Sequence, residues 1–147
     1  MLQDYLKLNK NILIAIFTSI IISAAIAQLL SDQEDYLNST YTTIADYSVY
    51  FSVFGVLYYF DNRKKYRIES GGTDTVKLKH DLIKLVTSLG LAEVVYTIAR
   101  WVLQYHFLTI DYDPYLASII SQSISAMIFL IVVNLNVKLV KLYKDEN

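Results

Sequence analysis

The chain has no cysteine. That excludes disulfides, thiolate metal sites, iron–sulfur clusters and cysteine nucleophiles. Its only histidines are His80 and His106. They fall on opposite sides of the membrane in the topology below, so they cannot share a metal ion. One proline and four glycines leave little punctuation, and Ser70-Gly71-Gly72-Thr73 is the one flexible-looking linker. No nucleotide-binding, zinc-protease or nucleophile motif occurs. Nothing in the sequence points to a cofactor, a metal, a nucleic-acid partner or a catalytic residue.

Positive charge is also missing from long stretches. Every Lys and Arg except Lys84 and Arg100 falls in three short segments. These are an N-terminal arm with Lys7 and Lys10, a central loop with Arg63, Lys64, Lys65, Arg67, Lys77 and Lys79, and a tail with Lys138, Lys141 and Lys144. Between them lie four apolar runs and two connections, 31–41 and 106–114, without Lys or Arg. The connections are acidic instead, with Asp32, Glu34, Asp35, Asp111 and Asp113. The formal net charge of −1 hides this segregation, which is the positive-inside pattern of a multi-pass cell-membrane protein.

The 147 residues, 54% of them hydrophobic, suit a single domain. Expected spans are about residues 11–30, 41–60, 82–105 and 115–137. The expected fold is an all-α, integral-membrane bundle of four transmembrane helices, because backbone groups in lipid must be satisfied internally. Both termini and the loop 61–81 would be cytoplasmic, with residues 75–81 extending the third helix. Ala25-Ile26-Ala27 reads as a cleavage site, but about 20 apolar residues suit a span better than a signal peptide. Asp113 and Pro114 suit the start of the fourth helix.

Tyrosine and tryptophan gather at the span ends. Tyr36, Tyr41, Tyr47, Trp101, Tyr105, Tyr112 and Tyr115 would form the outer belt, and Tyr58, Tyr59, Tyr66 and Tyr143 the inner one. Small residues recur every four positions: Ala15, Ser19, Ser23 and Ala27; Ser48 and Ser52; Ser88 and Ala92; Ala117, Ser121 and Ser125. Such stripes let helices approach closely, within the chain or against a partner subunit. Leu13-Ile14 and Thr18-Ser19 align with Leu82-Ile83 and Thr87-Ser88, a faint sign of two repeated helical hairpins. Asn38-Ser39-Thr40 is a glycosylation sequon pressed against the membrane. The basic central loop suits anionic lipid headgroups.

Ionisable groups inside the spans are costly, so they are functional candidates by default. They are Asp46, Glu93 and Arg100. Glu93, Thr97, Arg100 and Gln104 share one face of the third helix at 100° per residue. Ser118, Ser121, Gln122 and Ser125 stripe the fourth. The second helix runs inward and the third outward, which puts Asp46, Arg100 and Gln122 at one depth. An Asp46–Arg100 ion pair braced by Gln122 is expected. Asp46 also completes a capping box with Thr43. Glu93, near the middle of the third span, has no obvious partner: Arg100 is two turns away, about 10 Å. It is either a neutral carboxyl bonded to hydroxyls or part of a proton or cation relay.

Stretches 45–55, 78–90 and 111–115, which begin Ala45-Asp46-Tyr47, Leu78-Lys79-His80 and Asp111-Tyr112-Asp113, resemble small membrane proteins of ammonia-oxidising archaea. Some of those are accessory subunits of archaeal ammonia monooxygenase, whose catalytic copper ligands lie in other subunits. That resemblance implies a non-catalytic accessory subunit whose partners are other membrane subunits and lipids. Phe60-Asp61-Asn62-Arg63 and Asn134-Leu135-Asn136-Val137-Lys138, each ending an inward-running helix, are similar to the helix endings of the GtrA-like four-helix family. That family is linked to translocation of lipid-bound sugars, which implies a small transporter or flippase; the intramembrane Glu93 and Arg100, singled out above by their position, would be the pair it uses. The aromatic pair expected after the basic residue is missing at both places, and no functional residue carries over from either family.

The charge pattern makes a direct prediction. The chain has no cysteine of its own, so Asp35→Cys or Asp111→Cys should react with an impermeant thiol reagent in intact cells. Gly71→Cys should not. Labelling at position 71 from outside would overturn this layout.

Overall fold

The computed structural model describes residues 2–140, with side chains through residue 135; Lys141, Tyr143, Lys144 and the side chain of Lys138 lie outside the described residues. The described chain is all helix: α1 (Leu2–Leu29), α2 (Asp35–Asn62), α3 (Thr75–Ser88), α4 (Gly90–Thr109) and α5 (Pro114–Val140). Among the described residues α1 and Pro114–Leu135 are each long and apolar enough to cross a membrane, and α3 with α4 makes a third candidate if the bent pair is one span. This composition is consistent with a membrane location.

Local chemistry sets the helix ends. Asp74 caps α3 by accepting from the Lys77 amide at 2.9 Å. Pro114 opens α5 at the first helical position, where a missing N–H costs nothing. Asp111 turns the chain between α4 and α5 at φ 64°, a conformation its short polar side chain tolerates. The sequon residue Asn38 is buried, and its amide nitrogen donates to the Ala27 and Leu30 carbonyls at 2.9 Å each. It caps the end of α1 and leaves no room for a glycan.

The third run is not one straight helix, as expected over 82–105 with an extension from residue 75. It breaks at Leu89, and α3 and α4 meet at 61°. Thr87 and Ser88 donate to the Ile83 and Lys84 carbonyls one turn back, both at 2.7 Å, which loosens the backbone ladder. Gly90, a poor helix former, follows. α1, the corresponding first helix of the other half, runs unbroken over Leu2–Leu29.

α1 packs between α2 and α5, and α4 closes the ring against α5 and, over a shorter seam, α2. Ala15, Ser19, Ser23 and Ala27 are buried, as are Ala117, Ser121 and Ser125. These stripes let α1 and α5 approach their neighbours. Ser48 and Ser52 instead face outward and donate to their own helix at Ile44 and Ser48. The apolar core gathers Ile12, Tyr50, Phe54, Leu89, Tyr96, Phe129 and Val133. The Phe129 ring meets Tyr50 and Tyr96 edge-on, at 6.2 and 5.8 Å between centroids.

Two tyrosines depart from the belts. Tyr47 turns into the α2–α4 seam and bonds Thr97. Tyr66, within the 63–74 loop, is fully buried, donating to Asp81 at 2.7 Å and meeting the Tyr58 hydroxyl at 3.1 Å. Asp61 joins α2 to α1 through Lys10 at 3.1 Å and Asn11 at 3.0 Å, and Asp81 meets Lys65 at 2.7 Å.

Burial raises the Asp61 carboxyl, but bonds from Lys10 and Asn11 and the nearby lysine charges outweigh it and hold Asp61 below its ordinary range. Burial likewise opposes, and Lys65 and Tyr66 overcome, the same shift at Asp81. Carboxyls depressed in the folded state add stability above the ordinary value of about 4 and lose it as pH falls through the depressed one. Protection factors of the 63–74 amides should therefore fall as pH drops below about 4. The Asp61→Asn/Asp81→Asn variant should start less protected and lose this acid limb. An unchanged acid limb in that variant would refute the assignment.

Candidate functional site

The residue that organises the interior is Arg100 of α4, fully buried in an apolar bundle. A guanidinium keeps its charge and its five donors in a fixed fork. Its Nε donates to Asp46 Oδ2 of α2 at 3.1 Å. One terminal nitrogen donates to Gln104 and to Ser121 Oγ at 3.2 Å, and the other to Ser118 Oγ at 3.1 Å. The two charged side chains are 0% and 1% exposed. A pair this dry is tolerable only with its remaining donors and acceptors engaged.

Asp46 is engaged by two further donors. The Tyr96 hydroxyl donates to Oδ2, and Gln122 Nε2 of α5 donates to Oδ1 at 2.7 Å. The same Gln122 nitrogen also donates to Ser19 Oγ of α1 at 2.7 Å. Gln104 passes the network on, donating to Asn38 Oδ1 at 2.9 Å, and Thr42 approaches the same oxygen at 3.3 Å. One polar network therefore joins α1, α2, α4 and α5.

Of the expected cluster, the structure brings together Asp46, Arg100, Gln104 and Gln122. Thr97 and Glu93 stand apart. Thr97 bonds Tyr47 and donates to the Glu93 backbone carbonyl at 2.8 Å. The break at Leu89 puts Glu93 in the first turn of α4, rather than inside a longer straight helix. Helix N-termini favour a carboxylate there. Its side chain lines a small cleft between α2 and α4, together with Asp46, Tyr47, Tyr50 and Tyr96, with Ile16 of α1 and Phe129 of α5 closing it. Its Oε1 is buried with no hydrogen-bond partner.

Tyr96, Asn38 and Ser19 are network members that depth matching missed. Helical spacing carries the signal for two of them. Tyr96 lies four residues before Arg100, and Asn38, Thr42 and Asp46 repeat at four, so each set shares a face. Among the described residues no group of three His, Asp or Glu could hold a metal ion.

Removing one partner of such a pair leaves a buried, unanswered charge. Arg100→Leu should lower the unfolding free energy in detergent by about 3–5 kcal/mol. The same change in an Asp46→Asn background should cost much less. Additive losses would mean the two groups are not coupled. No family model, curated protein or solved structure matches the chain.

Proposed function

We propose that the chain is a non-catalytic accessory subunit of a larger membrane protein complex, folded as a four-span bundle. In this reading α1, α2, α4 and α5 cross the cell membrane, and both termini and the 63–74 loop are cytoplasmic. The α4 helix has 20 residues, about 30 Å of rise, enough for a hydrocarbon core. α2 is less apolar because Asn38, Thr42, Thr43 and Asp46 face the bundle, while Ile44, Val56 and Phe60 face outward.

The observation that carries the subunit role is the network around Arg100. It ties four helices at one level through side chains that are buried and mutually bonded. A carrier must part its helices around the cargo site; a subunit needs them held. The outer faces are apolar, with Phe17, Ile21, Val94, Ile98 and Met127 exposed on different helices. They suit lipid and neighbouring subunits. The resemblance to accessory subunits of archaeal ammonia monooxygenase suggests one such complex.

A second reading, a small transporter or flippase of the GtrA-like kind, draws on Glu93. Its unpartnered oxygen at the α2–α4 cleft is what a proton or cargo site would require. Glu93→Gln separates the two, because an amide of the same shape supplies hydrogen bonds but no charge. In the subunit reading, the variant co-purifies with its native partners, and the parent complex keeps its activity within about threefold, under 0.7 kcal/mol. Normal assembly with abolished activity or transport would sink the subunit reading and promote the transporter.

A further inference from the structure

The helix α3 is amphipathic in an unusual way. One line of side chains, Leu78, Leu82 and Leu85, turns toward the bundle, and Leu85 joins the apolar core. At 100° per residue, Val76 and Ile83 fall well to the other side. They are 79% and 55% exposed. Lys79 and His80 flank this outward pair, and Lys77 and Lys84 lie further round, all of them exposed. α3 therefore has two apolar lines, one covered by the protein and one uncovered and ringed by positive charge.

Its placement fits a surface rather than a groove. The 61° bend at Leu89 swings α3 away from the α4 axis. Beyond α4, the ties around Tyr66, Lys65 and Asp81 and the packing of Leu85 hold it to the bundle. The adjoining 63–74 loop adds exposed Arg63, Lys64 and Arg67 at the same end of the bundle. The neighbouring carboxylates Asp61 and Asp81 already face Lys10 and Lys65. Asp74 caps α3 and Glu69 is exposed, so the outward side chains here are six basic ones, Arg63, Lys64, Arg67, Lys77, Lys79 and Lys84, against two acidic ones.

We propose that α3 is an interfacial helix that docks on an anionic lipid surface. Val76 and Ile83 enter the acyl boundary, and Lys77, Lys79 and Lys84 extend to lipid phosphates, with the 63–74 loop adding further positive charge. Two isolated apolar side chains are too few to fill a protein groove, and flexible lysines suit a mobile headgroup layer better than a fixed partner. Interfacial helices bury their apolar edge about 5–10 Å deep and gain from basic residues facing anionic lipid. The proposal rests on the four-span arrangement but not on the subunit role, so Glu93→Gln leaves it untouched.

The test uses the full chain in vesicles of phosphatidylcholine alone or with phosphatidylglycerol at a ratio of about 7:3. A polarity-sensitive dye is attached at Ile83→Cys, and quenching by nitroxide-labelled lipid is read. The expected result is blue-shifted, lipid-quenched emission in the anionic vesicles only. High salt should reverse it, since the attraction is screened. Each of Lys77→Gln, Lys79→Gln and Lys84→Gln should lower the docked-to-undocked ratio about fivefold. Equal lipid quenching in both vesicles would remove the anionic requirement and overturn the proposal. So would water-like emission in both. A buried dye that lipid nitroxides cannot reach would point to a protein partner instead and overturn it as well.

Discussion

A guanidinium that cannot lose its proton, placed inside an apolar bundle, dictates what must surround it. Arg100 needs a carboxylate and several acceptors, and no single helix offers them. Asp46 comes from α2, Ser118 and Ser121 from α5, and Gln104 from α4 itself. The second oxygen of Asp46 then needs a donor, Gln122, which also holds Ser19 of α1. One charge thereby sets the relative height of four helices. Side chains this short meet only if backbones come close. The buried alanine and serine stripes of α1 and α5 permit that approach.

That pairing was legible because depth along antiparallel helices is simple arithmetic. Asp46 and Arg100 lie at matching distances from neighbouring helix ends, and Gln122 follows from the same count. Helicity was legible from the apolar runs, and the α4–α5 turn from Asp113-Pro114. The Tyr96 hydroxyl and the Asn38 amide were hidden by competing explanations. Tyrosine in a membrane sequence suggests the interface, and Asn38 stands in a glycosylation sequon. Both are in fact buried, and each satisfies a partner that hydrophobic periodicity does not register.

The bend at Leu89 was illegible for a different reason. Residues 82–105 read as one apolar stretch, and hydropathy is blind to backbone direction. The signal is local and weak: two hydroxyls that bond back to their own helix, followed by a glycine. Tyr66 makes the same point. It sits at the edge of a basic loop, where a belt residue is expected, yet it is fully buried with its hydroxyl on Asp81. In both places contacts from distant residues override what composition suggests.

The bend gives the buried carboxyl of Asp46 and the half-buried one of Glu93 different surroundings. Asp46 has both oxygens held by donors from α4 and α5 and cannot move without parting them. Glu93 has an unpartnered oxygen, lies against the cleft, and sits one turn beyond the break. Its backbone amide donates to the Leu89 carbonyl at 3.0 Å, at the pivot between α3 and α4. Glu93 stands two helical turns nearer that break than Arg100 does. Asp46 is therefore fixed by three donors, while Glu93, beside the break, keeps an oxygen that no side chain answers.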